Sequence, residues 1–146
     1  MRIYIKTPLF NNSKAVPHMV EHCTGHTLSL ADFFEHSYGI DGIISAEYTM
    51  FEYDDRVSYS DVMEKLLHPL QKKAFLYEKK VLQEEIGNTS YSQGIYEYLV
   101  KKIIHPTIAL NTAKSLHRDD VLSYHQKRYQ PEQMLVVNDD YEILYQ

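Results

Sequence analysis

The chain has 146 residues, of which 44% are hydrophobic and 24% are charged, as in an ordinary globular protein. This length predicts one domain over residues 1–146 with a single core. The net charge of −5 and the lack of Lys or Arg runs longer than a pair argue against nucleic acid or an anionic membrane as partners. The apolar runs are too short to span a bilayer, so we expect no membrane segment.

The first residues and the single cysteine bear on the cellular compartment. Residues 1–6 alternate apolar and charged side chains, unlike the apolar stretch of a secretory signal. Cys23 is the only cysteine, which excludes an internal disulfide and a cysteine-based metal cluster within the chain. We therefore expect a cytoplasmic protein in which any metal site uses histidine and carboxylate ligands.

The predicted elements begin with a strand over Arg2–Lys6, where apolar and polar residues alternate with period two. A helix starting near Ala15 follows, and Gly25 is expected to end it. A short helix over Leu30–His36 comes next, before a stretch with tyrosine and glycine.

The middle of the chain predicts two strands and two helices. Ile43–Glu47 and Thr49–Asp55 are rich in β-branched and aromatic residues, which is typical of strands. Ser60 is a suitable cap for a helix from Asp61 to about His68. A longer helix from Gln71 to about Gly87 carries apolar residues at three- to five-residue steps.

The last third of the chain predicts helices through Ile95–Ile104 and Arg118–Tyr129, and the strands Gln133–Asn138 and Glu142–Tyr145. Strands at both ends and in the middle, with helices between them, indicate an α+β fold in which helices cover one sheet.

The clearest chemical signal is the stretch His18-Met19-Val20-Glu21-His22. Residues three and four apart share one face of a helix, so both imidazoles and the Glu21 carboxylate point the same way. This His-x-x-Glu-His order is that of inverted zincins, in which the histidines bind zinc and the glutamate is a general base. Such a site needs a third ligand, and a plain surface cluster of His and Glu remains the alternative.

The long predicted helix offers the third ligand. Glu78 and Glu85 are seven residues apart, which is two turns and therefore one face. Glu85 is the candidate ligand, and Glu78 is placed to hydrogen-bond a ligating histidine and hold its tautomer. Glu84 points about 100° away from Glu85, so only one of these two faces inward. A solvated acidic face beside Lys79 is the alternative.

These motifs resemble the M16 metallopeptidases, which include pitrilysin, insulin-degrading enzyme and the mitochondrial processing peptidases. The family pattern is His-x-x-Glu-His followed, after a long gap, by Glu-x6-Glu, whose last glutamate binds zinc. The resemblance implies His18, His22 and Glu85 as zinc ligands, with Glu21 as catalytic base and Glu78 as the accompanying catalytic glutamate.

Two further stretches are similar to the family, so the resemblance runs from about Ala15 to Asp140. Gly42–Thr49 looks like the strand that pairs with extended substrate, which implies Ser45 and Ala46 as substrate-binding residues. Thr112–Val137 resembles the family's end-of-subdomain signature. The implied fold is a LuxS/MPP-like metallohydrolase fold, with a mixed, mostly antiparallel sheet covered by helices on one face.

The resemblance covers only the first half of the family's usual amino-terminal module, and Ser45 stands where an asparagine is usual. It implies a zinc-dependent metalloendopeptidase subunit that hydrolyses peptides or short unstructured segments and is completed by a homodimer or a partner chain. The alternative is a catalytically inactive subunit of the same kind that binds a peptide or partner.

A third hypothesis is the S-ribosylhomocysteine lyase fold, which has similar length and also carries His-x-x-Glu-His. That enzyme takes a downstream cysteine as its third ligand, and no cysteine follows Cys23. Zinc itself is an expectation from the M16 resemblance, since the same ligands accept manganese or cobalt.

Overall fold

The computed structural model describes six ranges of the chain: residues 1–11, 13–29, 40–44, 47–54, 56–87 and 113–145. Within these ranges the protein has an α+β fold with an antiparallel sheet and four helices. The predicted helices over Leu30–His36 and Ile95–Ile104 lie outside the described residues.

Five strands form the sheet of the described residues: β1 (Arg2–Lys6), β2 (Ile40–Ile44), β3 (Tyr48–Tyr53), β4 (Met134–Val137) and β5 (Ile143–Tyr145). Their order is β2-β3-β1-β4-β5, and every neighbouring pair is antiparallel. The amino-terminal strand β1 is therefore central, with β3 on one side and the carboxy-terminal strands on the other.

The alternation predicted for β1 separates two faces of the sheet. Ile3 lies opposite Phe51 on β3 and Val136 on β4, and all three side chains are buried in the core. Tyr4 and its neighbour Leu135 point to the opposite face and are only half-buried. The period-two pattern that predicted this strand thus corresponds to one buried face and one less buried face.

Four helices accompany the sheet in the described ranges: α1 (Ala15–Ser29), α2 (Tyr59–Leu67), α3 (Lys72–Gly87) and α4 (Arg118–Arg128). Helix α1 packs against β2 and against the other three helices, so it lies at the centre of the helical layer. None of the described helices is both long and apolar enough to cross a membrane.

Helix α1 continues through Gly25 to Ser29, so the predicted helix end at Gly25 is wrong. A helical glycine costs only about 1 kcal/mol relative to alanine. The two residues before it, Cys23 and Thr24, are fully buried, and their packing holds this part of the helix in place. Tertiary contacts therefore outweigh the local glycine signal.

The predicted start of α2 is also wrong. The helix begins at Tyr59, and Ser58 is the N-cap, without a side-chain hydrogen bond to the helix. The hydroxyl of Ser60 lies 2.7 Å from that of Ser58 instead of capping the backbone. Strand β2 is Ile40–Ile44, so the predicted range Ile43–Glu47 is too late in the chain; its residues pair with Thr49–Tyr53 of β3.

Candidate metal centre

Helix α1 divides its side chains between a polar face and a buried face. The Ser13 hydroxyl accepts a hydrogen bond of 3.1 Å from the backbone N–H of Ala15 and so supports the start of the helix. His18, Glu21 and His22 share the polar face, since they are three and four residues apart. The opposite face, which includes Met19, Val20 and Cys23, is buried in the core.

Helix α3 presents its inward face to α1. This face carries Phe75, Glu78 and Leu82, all buried, and then Glu85, whose side chain is 54% exposed. The steps of three and four residues keep these side chains in line along the helix. Of the two adjacent glutamates, Glu85 contacts the α1 histidines, as the helical geometry allows for only one of them.

The two helices bring three possible ligand atoms together. The Nε2 atom of His22 lies 3.2 Å from Nε2 of His18 and 3.1 Å from Oε2 of Glu85. The other carboxylate oxygen of Glu85 lies 3.8 Å from Nε2 of His18. One ligand atom from each residue can be chosen so that all lie within 4.8 Å of one another. The predicted ligand set therefore converges on one point.

The buried carboxylate of Glu78 sets the tautomer of His22. Its Oε2 atom lies 3.2 Å from Nδ1 of His22, and because a carboxylate only accepts, Nδ1 carries the proton and donates. In the neutral ring Nε2 then holds a lone pair, which faces His18 and Glu85. The predicted contact between Glu78 and one of the two motif histidines is present.

His18 is held in its neutral form. Burial, and after it the nearby His22 and Lys14, together lower the pKa of this imidazole to about 3. A neutral imidazole is the form that binds a metal ion. The sequence analysis did not identify Lys14 as part of this site. Its spacing of four residues from His18 is the signal that could have placed the two side chains near each other.

Glu21 borders the cluster without joining it. Its Oε2 atom lies 3.9 Å from Nε2 of His18 and 4.0 Å from Nε2 of His22, and its side chain is 15% exposed. Both distances are longer than the 3.2 and 3.1 Å that separate Nε2 of His22 from His18 and Glu85. The carboxylate is thus adjacent to the point of convergence, where it can exchange a proton with a group bound there.

The donor chemistry and spacing fit zinc. In a tetrahedral site with bonds of about 2.0–2.1 Å, ligand atoms are about 3.3–3.4 Å apart. The distances from Nε2 of His22 to Nε2 of His18 and to Oε2 of Glu85 are 3.2 and 3.1 Å, close to this spacing. The other Glu85 oxygen, Oε1, lies farther from His18, at 3.8 Å from its Nε2 atom. Two imidazoles and one carboxylate are also a ligand set used by catalytic zinc sites. The acceptor atoms would repel one another unless a cation or a proton lay between them.

The fold and this cluster define an α+β protein with a candidate metal centre of two histidines and one glutamate. Ser45 and Ala46, the predicted substrate-binding residues, lie outside the described residues. No model of a known protein family matches the chain, and no curated protein matches it either. The candidate site therefore stands on its own geometry.

Proposed function

We propose that this chain is a zinc-dependent metalloendopeptidase subunit of the M16 kind, with a LuxS/MPP-like fold. The observation that carries the proposal is the convergence of His18, His22 and Glu85 from two helices, with Glu21 beside them. If these residues were only a surface cluster of His and Glu, there would be no reason for ligand atoms from two different helices to meet at one point. The sequence motif and the tertiary geometry are two separate lines of support.

In this proposal His18, His22 and Glu85 hold zinc, which supplies Lewis-acid chemistry at a carbonyl group and makes water acidic near neutral pH. Glu21 is the general base, which takes the proton of the attacking water and delivers it to the leaving amine nitrogen. Its carboxylate is 3.9 and 4.0 Å from the two imidazoles, a position that is close to the reaction without being a ligand.

Glu78 is proposed to act through His22. By accepting the Nδ1 hydrogen, it fixes the ring so that Nε2 presents its lone pair to the metal. Its burial between the helices keeps the carboxylate at this position.

The substrate is proposed to bind as an additional strand. Strand β2 is at one end of the described sheet order, with β3 on its inner side and helix α1 packed against it. An extended peptide that paired with residues 43–46 would run close to α1, and its backbone would be held by main-chain hydrogen bonds. Peptides and short unstructured segments meet this requirement, and Ser45 and Ala46 are the proposed contacts.

We also propose that a homodimer or a separate partner chain completes the chamber and that the protein acts in the cytoplasm. The support for a partner is that the resemblance, from about Ala15 to Asp140, corresponds to the first half of the usual M16 module.

The test is the metal content of protein purified without a chelator or a metal-affinity tag. Elemental analysis is expected to find about one zinc per chain in the wild type and almost none in His22→Ala or Glu85→Gln. Glu84→Gln is the matched control, because it removes the same charge from the adjacent residue and is expected to keep the metal. The same measurement distinguishes zinc from manganese and cobalt.

Two other outcomes decide between the alternatives. If the wild type holds no metal even after zinc is added back, the peptidase proposal is wrong. If zinc is bound but a broad set of fluorogenic peptides is not cleaved, including at high protein concentration, the chain is an inactive subunit that binds peptide or a partner.

A further inference from the structure

The outward face of α3 combines lysines with exposed apolar side chains. Lys73, Leu76, Tyr77 and Lys80 are separated by steps of three and four residues, so they share the side of the helix opposite its buried face. Leu76 is 56% exposed and Tyr77 is 58% exposed, and both lysines are exposed as well. Large apolar side chains grouped on an exposed face are typical of a surface that contacts another molecule. We call these four residues the basic face of α3.

The hairpin between β4 and β5 has the opposite charge and the same apolar character. Six consecutive residues, 139–144, are all exposed, and we call them the acidic hairpin. Three of them carry carboxylates, namely Asp139, Asp140 and Glu142. The other three are large and apolar, and their exposed fractions are 71% for Tyr141, 61% for Ile143 and 55% for Leu144.

The acidic hairpin is held in one conformation before any partner binds. The side-chain oxygen of Asn138 accepts a hydrogen bond of 2.8 Å from the backbone N–H of Glu142, and its amide donates to the Glu142 carboxylate at 2.9 Å. The guanidinium of Arg2 lies over the Tyr141 ring, 5.2 Å from its centroid. A segment that is already ordered loses less conformational entropy when it binds.

The charges of the two surfaces are available to a partner. Within the ranges that the structure describes, Lys73, Lys80 and Asp140 form no ion pair. Both surfaces are exposed at once, so they do not cover each other within one chain. Because the net charge is −5, two copies repel each other on average, and a contact between them needs opposite charges where they meet. The basic face and the acidic hairpin meet this requirement.

We propose that the acidic hairpin of one copy of this chain docks on the basic face of α3 of a second copy. The carboxylates lie against Lys73 and Lys80, and the apolar side chains of the hairpin cover Leu76 and Tyr77. In a two-fold dimer this contact occurs twice, because each copy supplies both surfaces. The contact gives the proposed homodimer a specific interface and rests on that proposal for its role. Its tests measure association and need neither metal nor activity, so either proposal can fail while the other stands.

The test exchanges charge between the two surfaces and measures self-association by sedimentation equilibrium. Lys73→Glu/Lys80→Glu makes both surfaces acidic, and Asp140→Lys/Glu142→Lys makes both basic. The wild type is expected to dimerise, and each variant alone is expected to associate at least about 100-fold more weakly, because like charges then meet. An equimolar mixture of the two variants is expected to recover the wild-type affinity, since opposite charges again meet at both contacts. This recovery also shows that both variants are folded.

Two further variants separate this contact from general effects. Lys114→Glu/Lys127→Glu is the matched control, because it changes the net charge equally at two exposed lysines outside the basic face, and it is expected to dimerise like the wild type. Leu76→Ser removes an apolar contact and is expected to weaken dimerisation about 10–100-fold, the effect of failing to bury one leucine. Its urea unfolding as a monomer is expected to match the wild type, because the side chain is exposed there.

Three outcomes overturn the proposal. One is a wild type that stays monomeric up to about 500 μM chain. Another is a dimer that persists in both charge variants, or one that their mixture does not restore, because the interface is then elsewhere. The last uses vesicles that contain phosphatidylserine: if the monomeric wild type binds them and Lys73→Glu/Lys80→Glu does not, the basic face contacts lipid and not a second copy.

Discussion

His22 and His125 are both histidines with little solvent contact, but their surroundings differ in kind. The ring of His125 donates from Nε2 to the carbonyl oxygen of Leu66 at 2.9 Å and stacks on Tyr129. The ring of His22 has a carboxylate at each nitrogen and a second imidazole 3.2 Å away. His125 donates to a neutral carbonyl group. His22 donates from Nδ1 to Glu78, while its Nε2 atom faces two further acceptors, His18 and Glu85.

The comparison shows that burial of a histidine does not by itself indicate a functional site. His125 connects α4 to α2 and is fully accounted for by packing and one hydrogen bond. At His22 the convergence of lone pairs from α1 and α3 is unfavourable until a cation or proton joins them. Four experiments test this distinction, from the largest expected effect to the smallest.

Replacing the proposed base has the largest expected effect. In Glu21→Gln, peptide hydrolysis is expected to fall about 10²–10⁴-fold, because the amide cannot take a proton from water. Elemental analysis is expected to show unchanged zinc, since Glu21 is not among the ligand atoms. His125→Gln is the control and should cleave the same peptides. Full activity in Glu21→Gln would contradict its role as base.

Zinc is expected to stabilise the folded protein by binding at the site of His18, His22 and Glu85, and not at His125. At a zinc concentration about 100 times the dissociation constant, the free energy of unfolding should rise by about 2.7 kcal/mol, because only the folded chain brings α1 and α3 together. Thermal melts followed by circular dichroism measure this gain. His125→Gln should show the same gain and His22→Ala none. An equal gain in His22→Ala would place the bound metal elsewhere.

Glu78→Gln is expected to weaken zinc binding about 10–100-fold without abolishing it. Glutamine can still accept the Nδ1 hydrogen of His22 but lacks the negative charge that strengthens this hydrogen bond and favours a cation at the site. Competition with a fluorescent zinc chelator measures the affinity. Glu84→Gln removes one charge from the same helix and is expected to leave the affinity nearly unchanged. Equal losses in both variants would mean that only net charge matters.

The smallest effect concerns His125 and pH. Burial lowers the pKa of His125, so protonation favours the unfolded chain, whose histidine has a pKa near 6.5. Its contribution is complete above about pH 6.5 and is lost as pH falls, by at most about 1.4 kcal/mol per pH unit. Urea unfolding of the wild type and His125→Gln between pH 7.5 and 5 measures the difference.

Burial of His18 gives a pH dependence of stability with the same sign. Because both proteins contain His18, this contribution cancels when the wild type is compared with His125→Gln. Identical pH dependence in the two proteins would show that His125 is protonated as easily in the folded state as in the unfolded one.

Local sequence patterns were sufficient for much of the fold. The strand Arg2–Lys6 is confirmed at both ends, and α3 begins one residue after its predicted start and ends at Gly87 as predicted. These segments have strong periodicity and clear breakers, so their local preferences agree with their tertiary surroundings. The domain count, the partner, the compartment and the reaction stay predictions.

Local patterns failed where packing opposed them. Gly25 is a strong stop signal, but the buried residues just before it keep α1 helical to Ser29. Ser60 is a good cap by type, but α2 begins before it. The register of β2 was decided by β3, its partner in the sheet, rather than by the residues of β2 alone.

The sequence by itself determined which side chains share a helical face, because the 3.6-residue period is a property of the backbone. His18, Glu21 and His22 were identified as one group in this way, as were Glu78 and Glu85. Only the tertiary structure decided that these two faces meet and that Glu78 accepts the Nδ1 hydrogen of His22. Such contacts depend on how whole elements pack, which no local spacing encodes.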